Sequence, residues 1–253
     1  MYLTWLDSNS WFIEIGDANI LLDPWLIDSL VFGNLPWLFK GTRSRERPIP
    51  EKIDLILLSQ GLEDHAHPAT LKHLDRDIPV FGSPSAAKVV QELGYKNITA
   101  LKHHQSHRWG DRLEIQAVPG SPLGPFTTEN GYIVRDLQQQ KSLYYEPHGH
   151  HSETLKTHAP IDVAISPVVD LSLPLGATII QGFRSALQLC EWLQPQVLIP
   201  TAAGGDIEFT GVLNTVIQAR GSTDAMRAKL AKANLETQLL EPTPGERFAV
   251  PLS

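Results

Sequence analysis

Two short segments of the chain concentrate the side chains that could bind a metal ion or transfer protons. The first, residues 60–65, ends in the adjacent pair Asp64 and His65. The second, residues 146–151, contains one glutamate and three histidines. Imidazole and carboxylate groups ligate zinc, and the same groups serve as general acids and bases. A zinc site needs three or four such ligands at one point, so the fold must bring further donors to either segment.

Both segments follow predicted strands. Residues 53–58 are a continuous apolar run, which is typical of a buried strand, and residues 142–146 are a shorter strand pattern. The other predicted strands lie at residues 3–6, 10–15, 19–22, 79–82, 112–118, 131–135, 163–166, 197–200 and in parts of 239–250. Helices are predicted at residues 68–74, 85–93, 183–193 and 223–233. This mixture of strands and helices predicts an α/β protein.

Composition excludes several classes of protein. The 253 residues include 21 Lys and Arg against 28 Asp and Glu, a net charge of −7 that argues against a general nucleic-acid binder. Cys190 is the only cysteine, so no intrachain disulfide or cysteine-based zinc site can form, and its apolar neighbours predict a core position. We expect no transmembrane segment, no signal peptide and a cytoplasmic location, because apolar runs are short and Lys40 is the first basic residue.

Four stretches together resemble the metallo-β-lactamase-fold hydrolases. They are NILLDPWL at residues 19–26, IDLILLSQGLEDHAHPATLKHL at 53–74, GFRSALQLCEWLQPQVLIPTA at 182–202 and PGERF at 244–248. They look most similar to the branch that holds ascorbate phosphate lactonase and N-acyl phosphatidylethanolamine phospholipase D. The resemblance covers nearly the whole chain. It implies a four-layer αββα sandwich, formed by residues 1–253 as one domain.

The zinc motif of that family is degenerate in this chain. The family loop reads H-x-H-x-D-H, whereas this chain has Gln60 and Leu62 in place of the first two histidines and keeps Asp64 and His65. At the other family ligand positions, which align more loosely, the chain has Ser8, Ser121, Pro147 and Ala202. We therefore expect one zinc or other divalent ion at most, and not a dinuclear zinc site.

The resemblance also implies which residues would hold that ion. Segment 146–151 occupies the loop of the family's bridging aspartate, so we predict His148 as a ligand with Asp64 and His65, and Asp64 or Glu146 as the proton acceptor. Such a site would hydrolyse an ester, a lactone or a phosphodiester of a small-molecule substrate. In the alternative, Asp64 and His65 only cap the next helix and hydrogen-bond neighbouring loops, and the histidines of 146–151 lie in solvent. The chain would then be a non-catalytic descendant that binds a ligand, a membrane or a protein.

A serine hydrolase is a further alternative, because the resemblance brings Ser59, Ser121 and His65 near the same lip of the implied sandwich. The sequence has no G-x-S-x-G elbow, which disfavours this interpretation. Gly204 and Gly205 leave open either a tight turn or an anion-binding loop.

Residues 25–39 predict a long apolar loop, which is interrupted by Gly33 and Pro36 and followed by a basic run within residues 40–47. Two interpretations stay open for this region. It forms a lid over the pocket, or residues 25–47 contact a membrane surface, a lipid-like ligand or a protein partner.

Overall fold

The computed structural model of the chain describes residues 1–124, 127–176 and 178–252. Within these residues the strands form two seven-stranded and two three-stranded sheets, and helices accompany both large sheets, so the predicted α/β class is confirmed. The chain divides into two compact units. The first comprises Met1–Lys102, Ala203–Val216 and Thr243–Ala249, and the second comprises the rest. The organisation of residues 1–253 as one domain stays a prediction.

The strands and helices are numbered here in chain order. The strands are Tyr2–Trp5 (β1), Trp11–Ile15 (β2), Ala18–Leu22 (β3), Leu30–Val31 (β4), Lys40–Arg43 (β5), Leu55–Leu58 (β6), Val80–Gly82 (β7), Ile98–Ala100 (β8), Ser106–Trp109 (β9), Leu113–Pro122 (β10), Thr128–Asp136 (β11), Ser142–Tyr145 (β12), Val163–Ile165 (β13), Asp170–Ser172 (β14), Thr178–Gln181 (β15), Val197–Ile199 (β16), Ile207–Thr210 (β17), Gln218–Arg220 (β18), Gln238–Leu239 (β19) and Arg247–Ala249 (β20). The α-helices are Pro68–His73 (α1), Pro84–Glu92 (α2), Gly182–Leu193 (α3), Val212–Val216 (α4) and Thr223–Lys232 (α5), with 3-10 helices at Phe32–Asn34, Glu153–His158 and Pro174–Gly176.

The large sheet of the first unit places segment 60–65 at the end of a fully buried strand. Its order is β20-β1-β2-β3-β6-β7-β8, antiparallel from β20 to β3 and parallel from β3 to β8. Helices α1 and α2 cover one face, where Leu71 and Val90 share a buried cluster with Ile56 and Leu58 of β6. The residues of β6 that face the other way are buried too. A parallel strand covered on both faces is continuously apolar, which explains why the sequence predicts it.

Residues 25–39 are more ordered than the predicted loop. They contain β4 and a 3-10 helix, and β4 joins β5 and β17 in a small antiparallel sheet. The physical reason is a separate apolar cluster: Trp25, Leu30 and Ile207 are buried together, and three phenylalanines pack against them. The aromatic residues of the predicted apolar loop therefore supply a small core of their own.

A buried cluster of charges ties three segments of the first unit together. Asp7 is fully buried, and its carboxylate accepts hydrogen bonds from Arg43 Nη1 at 2.6 Å and from Arg47 Nε at 2.9 Å. Arg47 also pairs with Asp206, whose backbone N–H donates to Asp7 Oδ1 at 2.9 Å. The Arg43 guanidinium lies over the ring of Trp25, 5.1 Å from its centre. Breaking such a buried pair typically costs about 3–5 kcal/mol, because an uncompensated charge is left behind.

The large sheet of the second unit carries segment 146–151 at the end of β12. Its order is β19-β16-β13-β12-β11-β10-β9, antiparallel from β9 to β12 and parallel from β12 to β19. Helices α3 and α5 cover one face, where Cys190, Met226 and Leu230 share a buried cluster with Tyr144. Cys190 is thus a core residue, as predicted, and burial raises the pKa of its thiol to about 12.

The predicted helices are confirmed with ends that differ by one residue at most. The region 239–250 differs more, because only β19 and β20 are strands there and the residues between them are irregular. Among the described residues, no helix is long and apolar enough to cross a bilayer.

Gly61 provides a test of how tightly segment 60–65 is packed. A Cβ added at residue 61 would lie 2.9 Å from the backbone carbonyl group of Ser85 in α2, and backbone cannot move aside cheaply. We expect Gly61→Ala to lower the free energy of unfolding, measured in urea, by about 1–3 kcal/mol. Ser85→Ala removes the hydrogen bond that Ser85 Oγ accepts from the Gly61 N–H and is the milder control, at about 1 kcal/mol. Wild-type stability of Gly61→Ala would contradict the close packing.

Candidate functional site

Segment 60–65 forms a turn between β6 and α1. The backbone N–H groups of His65 and Ala66 both donate to the carbonyl of Leu62, at 3.0 and 2.8 Å, which closes the turn. Helix α1 is capped by His67, whose Nδ1 accepts the N–H of Thr70 at 3.3 Å. The prediction that Asp64 and His65 cap this helix is therefore wrong. His65 does hydrogen-bond neighbouring segments, at Asp23 and Asn9, as the same alternative predicts.

The imidazole of His65 is fully buried between two carboxylates. Its Nδ1 lies 2.7 Å from Asp23 Oδ2, and its Nε2 lies 3.1 Å from Asp64 Oδ2. The side-chain amide of Asn9 also approaches Nε2, at 3.4 Å. Asp23 is itself fixed by Ser59, whose N–H and Oγ–H donate to its two oxygens at 2.7 and 2.5 Å. The ring of His65 therefore has one orientation, set by Asp23.

This environment determines the charge of His65. Burial alone lowers the pKa of an imidazole, but the charges of Asp64 and Asp23, and the hydrogen bonds to them, outweigh burial and raise the pKa of His65 to about 10. At neutral pH without metal the ring is an imidazolium that donates from both nitrogens. The site then has one positive charge between two negative ones.

The same geometry fits a divalent metal ion. A metal-ligating histidine usually gives its second ring N–H to a carboxylate, which is the relation of His65 Nδ1 to Asp23. Two ligands at about 2.1 Å from a tetrahedral ion are separated by roughly 3.4 Å, close to the 3.1 Å between His65 Nε2 and Asp64 Oδ2. Asp64 retains 20% side-chain exposure, so an ion can reach it. An ion bound here would replace the proton on Nε2.

Ser59 does not form a serine-hydrolase arrangement with His65. Such a site needs the serine on one ring nitrogen and the orienting carboxylate on the other. Here Ser59 Oγ lies 3.3 Å from Nδ1, the nitrogen that Asp23 already holds, and its hydroxyl donates to Asp23. Ser59 thus supports Asp23 and is not activated by the histidine. Ser121, the other candidate, lies in the second unit at the end of β10.

In the second unit, Glu146 organises the loop that carries His148. Glu146 is fully buried, and its Oε2 accepts the backbone N–H groups of His148 and His150 at 3.1 and 2.7 Å. Gly149 has φ +80°, and a Cβ there would lie 2.9 Å from the backbone of Gln181. The backbone of this loop is therefore tightly constrained around the predicted ligand.

The two histidines that follow His148 are not solvated side chains. His150 Nδ1 lies 2.8 Å from the amide of Gln181, and His151 Nδ1 lies 2.9 Å from the hydroxyl of Tyr144. Burial lowers the pKa of both rings, and that of His151 to about 3, with the charge of His150 as a further cause. Both are neutral at physiological pH and have roles in packing the loop.

The structure thus brings Asp64 and His65 together in the first unit, and Glu146 and His148 together in the second. Sequence reasoning missed Asp23 and Asn9. Asp23 carried a usable signal, because it follows a strand within the NILLDPWL stretch. Ser8, at a position where the resemblance implies a histidine ligand, is buried and forms an isolated β-bridge with Ala203.

Of the two alternatives for Gly204 and Gly205, a tight turn and an anion-binding loop, the structure favours the turn. Gly205 has φ +62°, and a Cβ there would lie 2.2 Å from Asp7 Oδ1. The N–H of the next residue, Asp206, already donates to that oxygen. The carboxylate of Asp7 therefore occupies the position that a bound anion would take.

A cleft of about 470 Å³ in the first unit borders the Asp64 turn. Its lining includes Glu63, His67 and Lys72, together with Ser29 and Asn34 from the region 25–39. Burial and then the charge of Asp64 raise the pKa of Glu63, and burial lowers the pKa of His67 to about 4. Ionisable groups with shifted pKa values in a cleft are typical of a functional site.

The charge of His65 can be tested without any ligand. Because its folded pKa of about 10 exceeds the ordinary value of 6.5, its stabilising effect is complete below pH 6.5 and is lost as pH rises through about 10. We expect chelator-treated protein to lose on the order of 5 kcal/mol of unfolding free energy over this range. His65→Gln should flatten the profile, and His107→Gln, at an exposed position, should not. Equal slopes in all three proteins would refute the assignment.

Comparison with known proteins places the fold. The chain is 26% identical over 213 residues to a UPF0173 metal-dependent hydrolase of Methanopyrus kandleri, covering 81% of this chain and 84% of that one. It is similar in structure to the isothiocyanate hydrolase from Delia radicum gut bacteria, with a TM-score of 0.71 and 16% identity over 100% of both chains. It is also similar to the metallo-β-lactamase fold protein YhfI from Bacillus subtilis, with a TM-score of 0.64 and 15% identity over 98% and 99% of the two chains.

These likenesses confirm the predicted metallo-β-lactamase fold. The narrower resemblance to the ascorbate phosphate lactonase and phospholipase D branch stays a prediction. The family model described as the β-lactamase superfamily domain matches residues 2–202. Because this match covers well over half of the chain, the protein belongs to the β-lactamase superfamily.

Proposed function

We propose that this protein is a hydrolase that uses one divalent metal ion, zinc or another, to cleave an ester, lactone or phosphodiester bond in a small molecule. Asp64, His65 and His148 are the proposed ligands. The relative from Methanopyrus kandleri is named as a metal-dependent hydrolase, which supports the reaction class. The ligand set and the substrate class are our own proposal.

One observation carries the proposal: His65 presents Nε2 beside Asp64 Oδ2 while Asp23 holds its other nitrogen. A histidine that only needed to be buried would not require two carboxylates, since burying charged groups costs free energy unless they are paired. The arrangement instead keeps a ligand nitrogen and a ligand oxygen about 3 Å apart. Binding an ion there releases the proton of the imidazolium.

The chain's own residues have separate tasks in this proposal. A divalent ion supplies the positive charge that lowers the pKa of water and stabilises a developing oxyanion. Asp23 orients His65, and the exposed part of Asp64 is placed to accept a proton. Glu146 uses one carboxylate oxygen to fix the backbone of the His148 loop, so we assign it a positioning role besides the predicted role as base. The cleft beside Glu63 is the proposed path of the substrate.

A second candidate is a non-catalytic binding protein. It is favoured by Leu62, which has no ligating atom, and by Gln60, which is buried in place of a family histidine. In this case the cleft next to Asp64 would bind a small molecule without cleaving it. The two candidates differ in metal content and in turnover, and both can be measured.

Metal content is the first test. We expect mass spectrometry of untagged protein loaded with zinc or manganese to show about one ion per chain. Asp64→Ala and His148→Ala should each lose most of it, because a site with three protein ligands weakens severely when one is removed. His107→Ala, an exposed histidine outside the proposed site, is the matched control and should keep the ion. Metal-free wild-type protein would favour the binding candidate, and retention of the ion in all variants would reject the proposed ligands.

Asp23→Asn tests whether the protein is catalytic. With a substrate found by screening esters, lactones and phosphodiesters, we expect kcat/KM to fall about 10–100-fold, because the substituted residue still fits but holds His65 less firmly. The far-UV spectrum should remain that of the wild type. No turnover of any such substrate by metal-loaded wild-type protein would remove the hydrolase proposal, and unchanged kinetics in Asp23→Asn would remove its positioning role.

A further inference from the structure

Four exposed apolar side chains lie close together at one end of the small sheet of the first unit. Leu35 is 40% exposed and Trp37 is 63% exposed, while Val212 and Val216 in α4 are 52% and 36% exposed. The two segments are joined, since the N–H of Val212 donates to the carbonyl of Trp37 at 3.0 Å. Val216 follows Val212 by one helical turn and lies on the same face. Residues 34–39 and helix α4 are together called the Trp37 tip.

The backbone of the Trp37 tip is fixed. The N–H of Leu38 donates to the carbonyl of Leu35 at 2.9 Å, and Leu38 in turn accepts from Leu213 at 3.0 Å. Gly211, with φ +103°, lets the two segments approach, because a Cβ there would lie 2.6 Å from the Leu38 oxygen. At the base of the tip, the ring of Phe39 packs on two neighbouring phenylalanine rings, with ring centres 5.5 Å apart. The exposed side chains of the Trp37 tip are therefore held at the surface by an ordered backbone.

Charge around the Trp37 tip is opposite in sign to that of the whole protein. Residues 30–45 contain three basic residues and no Asp or Glu, and residues 209–216 contain no charged residue, whereas the chain carries −7. Arg43 is engaged by Asp7, and Arg45 lies past the far end of β5 in a cleft with Glu46, which leaves Lys40 as the cation beside the tip. The nearest acidic residue along β17 is the exposed Glu208. An apolar tip with a cation at its base is complementary to a surface that is apolar inside and anionic outside.

We propose that the Trp37 tip contacts the surface of an anionic lipid bilayer. Tryptophan suits the bilayer interface, where its ring is accommodated among lipid chains and headgroups, and flanking cations are attracted to anionic headgroups. A stable protein partner would need about 800 Å² of complementary surface on each side, more than four partly exposed side chains offer. A bilayer needs no matching surface. This contact does not depend on the proposed hydrolase activity.

The test is co-sedimentation with vesicles at low salt. We expect the wild-type protein to bind vesicles of equal parts phosphatidylcholine and phosphatidylglycerol at least fivefold more strongly than phosphatidylcholine alone, and to be released by salt. Trp37→Ser should reduce binding to the mixed vesicles about fivefold or more, and Lys40→Glu should reduce the preference for the anionic lipid. Ile179→Ser, which removes an apolar side chain of 38% exposure in the second unit, is the matched control and should bind as the wild type does.

Tryptophan emission provides an independent readout. Mixed vesicles should shift the emission of the wild type to shorter wavelength, and Trp37→Phe should lack this shift while still binding, since phenylalanine keeps an apolar ring at the tip. Absence of binding by the wild type, or equal binding by Trp37→Ser, would overturn the proposal. If sedimentation velocity showed a dimer that Trp37→Ser converts to a monomer, with no vesicle binding, the tip would instead be an interface between copies of the chain.

Discussion

The first unit depends on a carboxylate that has no access to solvent. Asp7 is fully buried and would be unstable there as a lone charge, so two guanidinium groups must be brought to it. Arg43 belongs to β5 and Arg47 follows it, so this requirement fixes the position of the chain on both sides of residue 45. Through Asp206 the same cluster holds the start of β17. The small sheet and its aromatic core are thus anchored by charge at one end.

The candidate site also pairs buried charges, but there a cation lies between two carboxylates. There a buried imidazole is held between Asp23 and Asp64. The sheet explains how this happens: β3 and β6 are parallel neighbours with Leu22 opposite Leu57, so Asp23 and Ser59 leave their strands side by side. The backbone N–H of Asp23 donates to Leu57, which fixes the alignment. Neighbouring strand ends of a parallel sheet thereby become a rigid support for one histidine.

The sequence predicts the elements around the site better than the contacts inside it. The apolar run of β6, the helix after it and the pair Asp64 and His65 are visible in one stretch of about twenty residues. The bond between Asp23 and His65 joins residues 42 positions apart, and hydrophobic periodicity reports which face is buried but not which strand lies beside it.

Residues 25–39 and 146–151 also show that sequence patterns do not reveal tertiary contacts. An apolar run without regular period looks like a loop, although the cluster around Trp25 orders it. Three histidines in six residues suggest ligands or solvent contact, whereas His150 and His151 make hydrogen bonds to Gln181 and Tyr144. Their partners are set by the tertiary fold. Composition and spacing alone do not reveal them.

The turn that carries Asp64 is stabilised mainly by groups other than the motif side chains. The N–H of Ser59 donates to Asp23, the N–H of Gly61 donates to Ser85, and the N–H of His65 closes the turn on a backbone carbonyl. None of these bonds uses the side chains of Gln60 and Leu62, at the two positions where the sequence resemblance implies histidine ligands. Substitutions at those two positions therefore need not disturb the bonds that hold the turn. The backbone of this turn and the side chains available for ligation depend on different groups, so one can change while the other is kept.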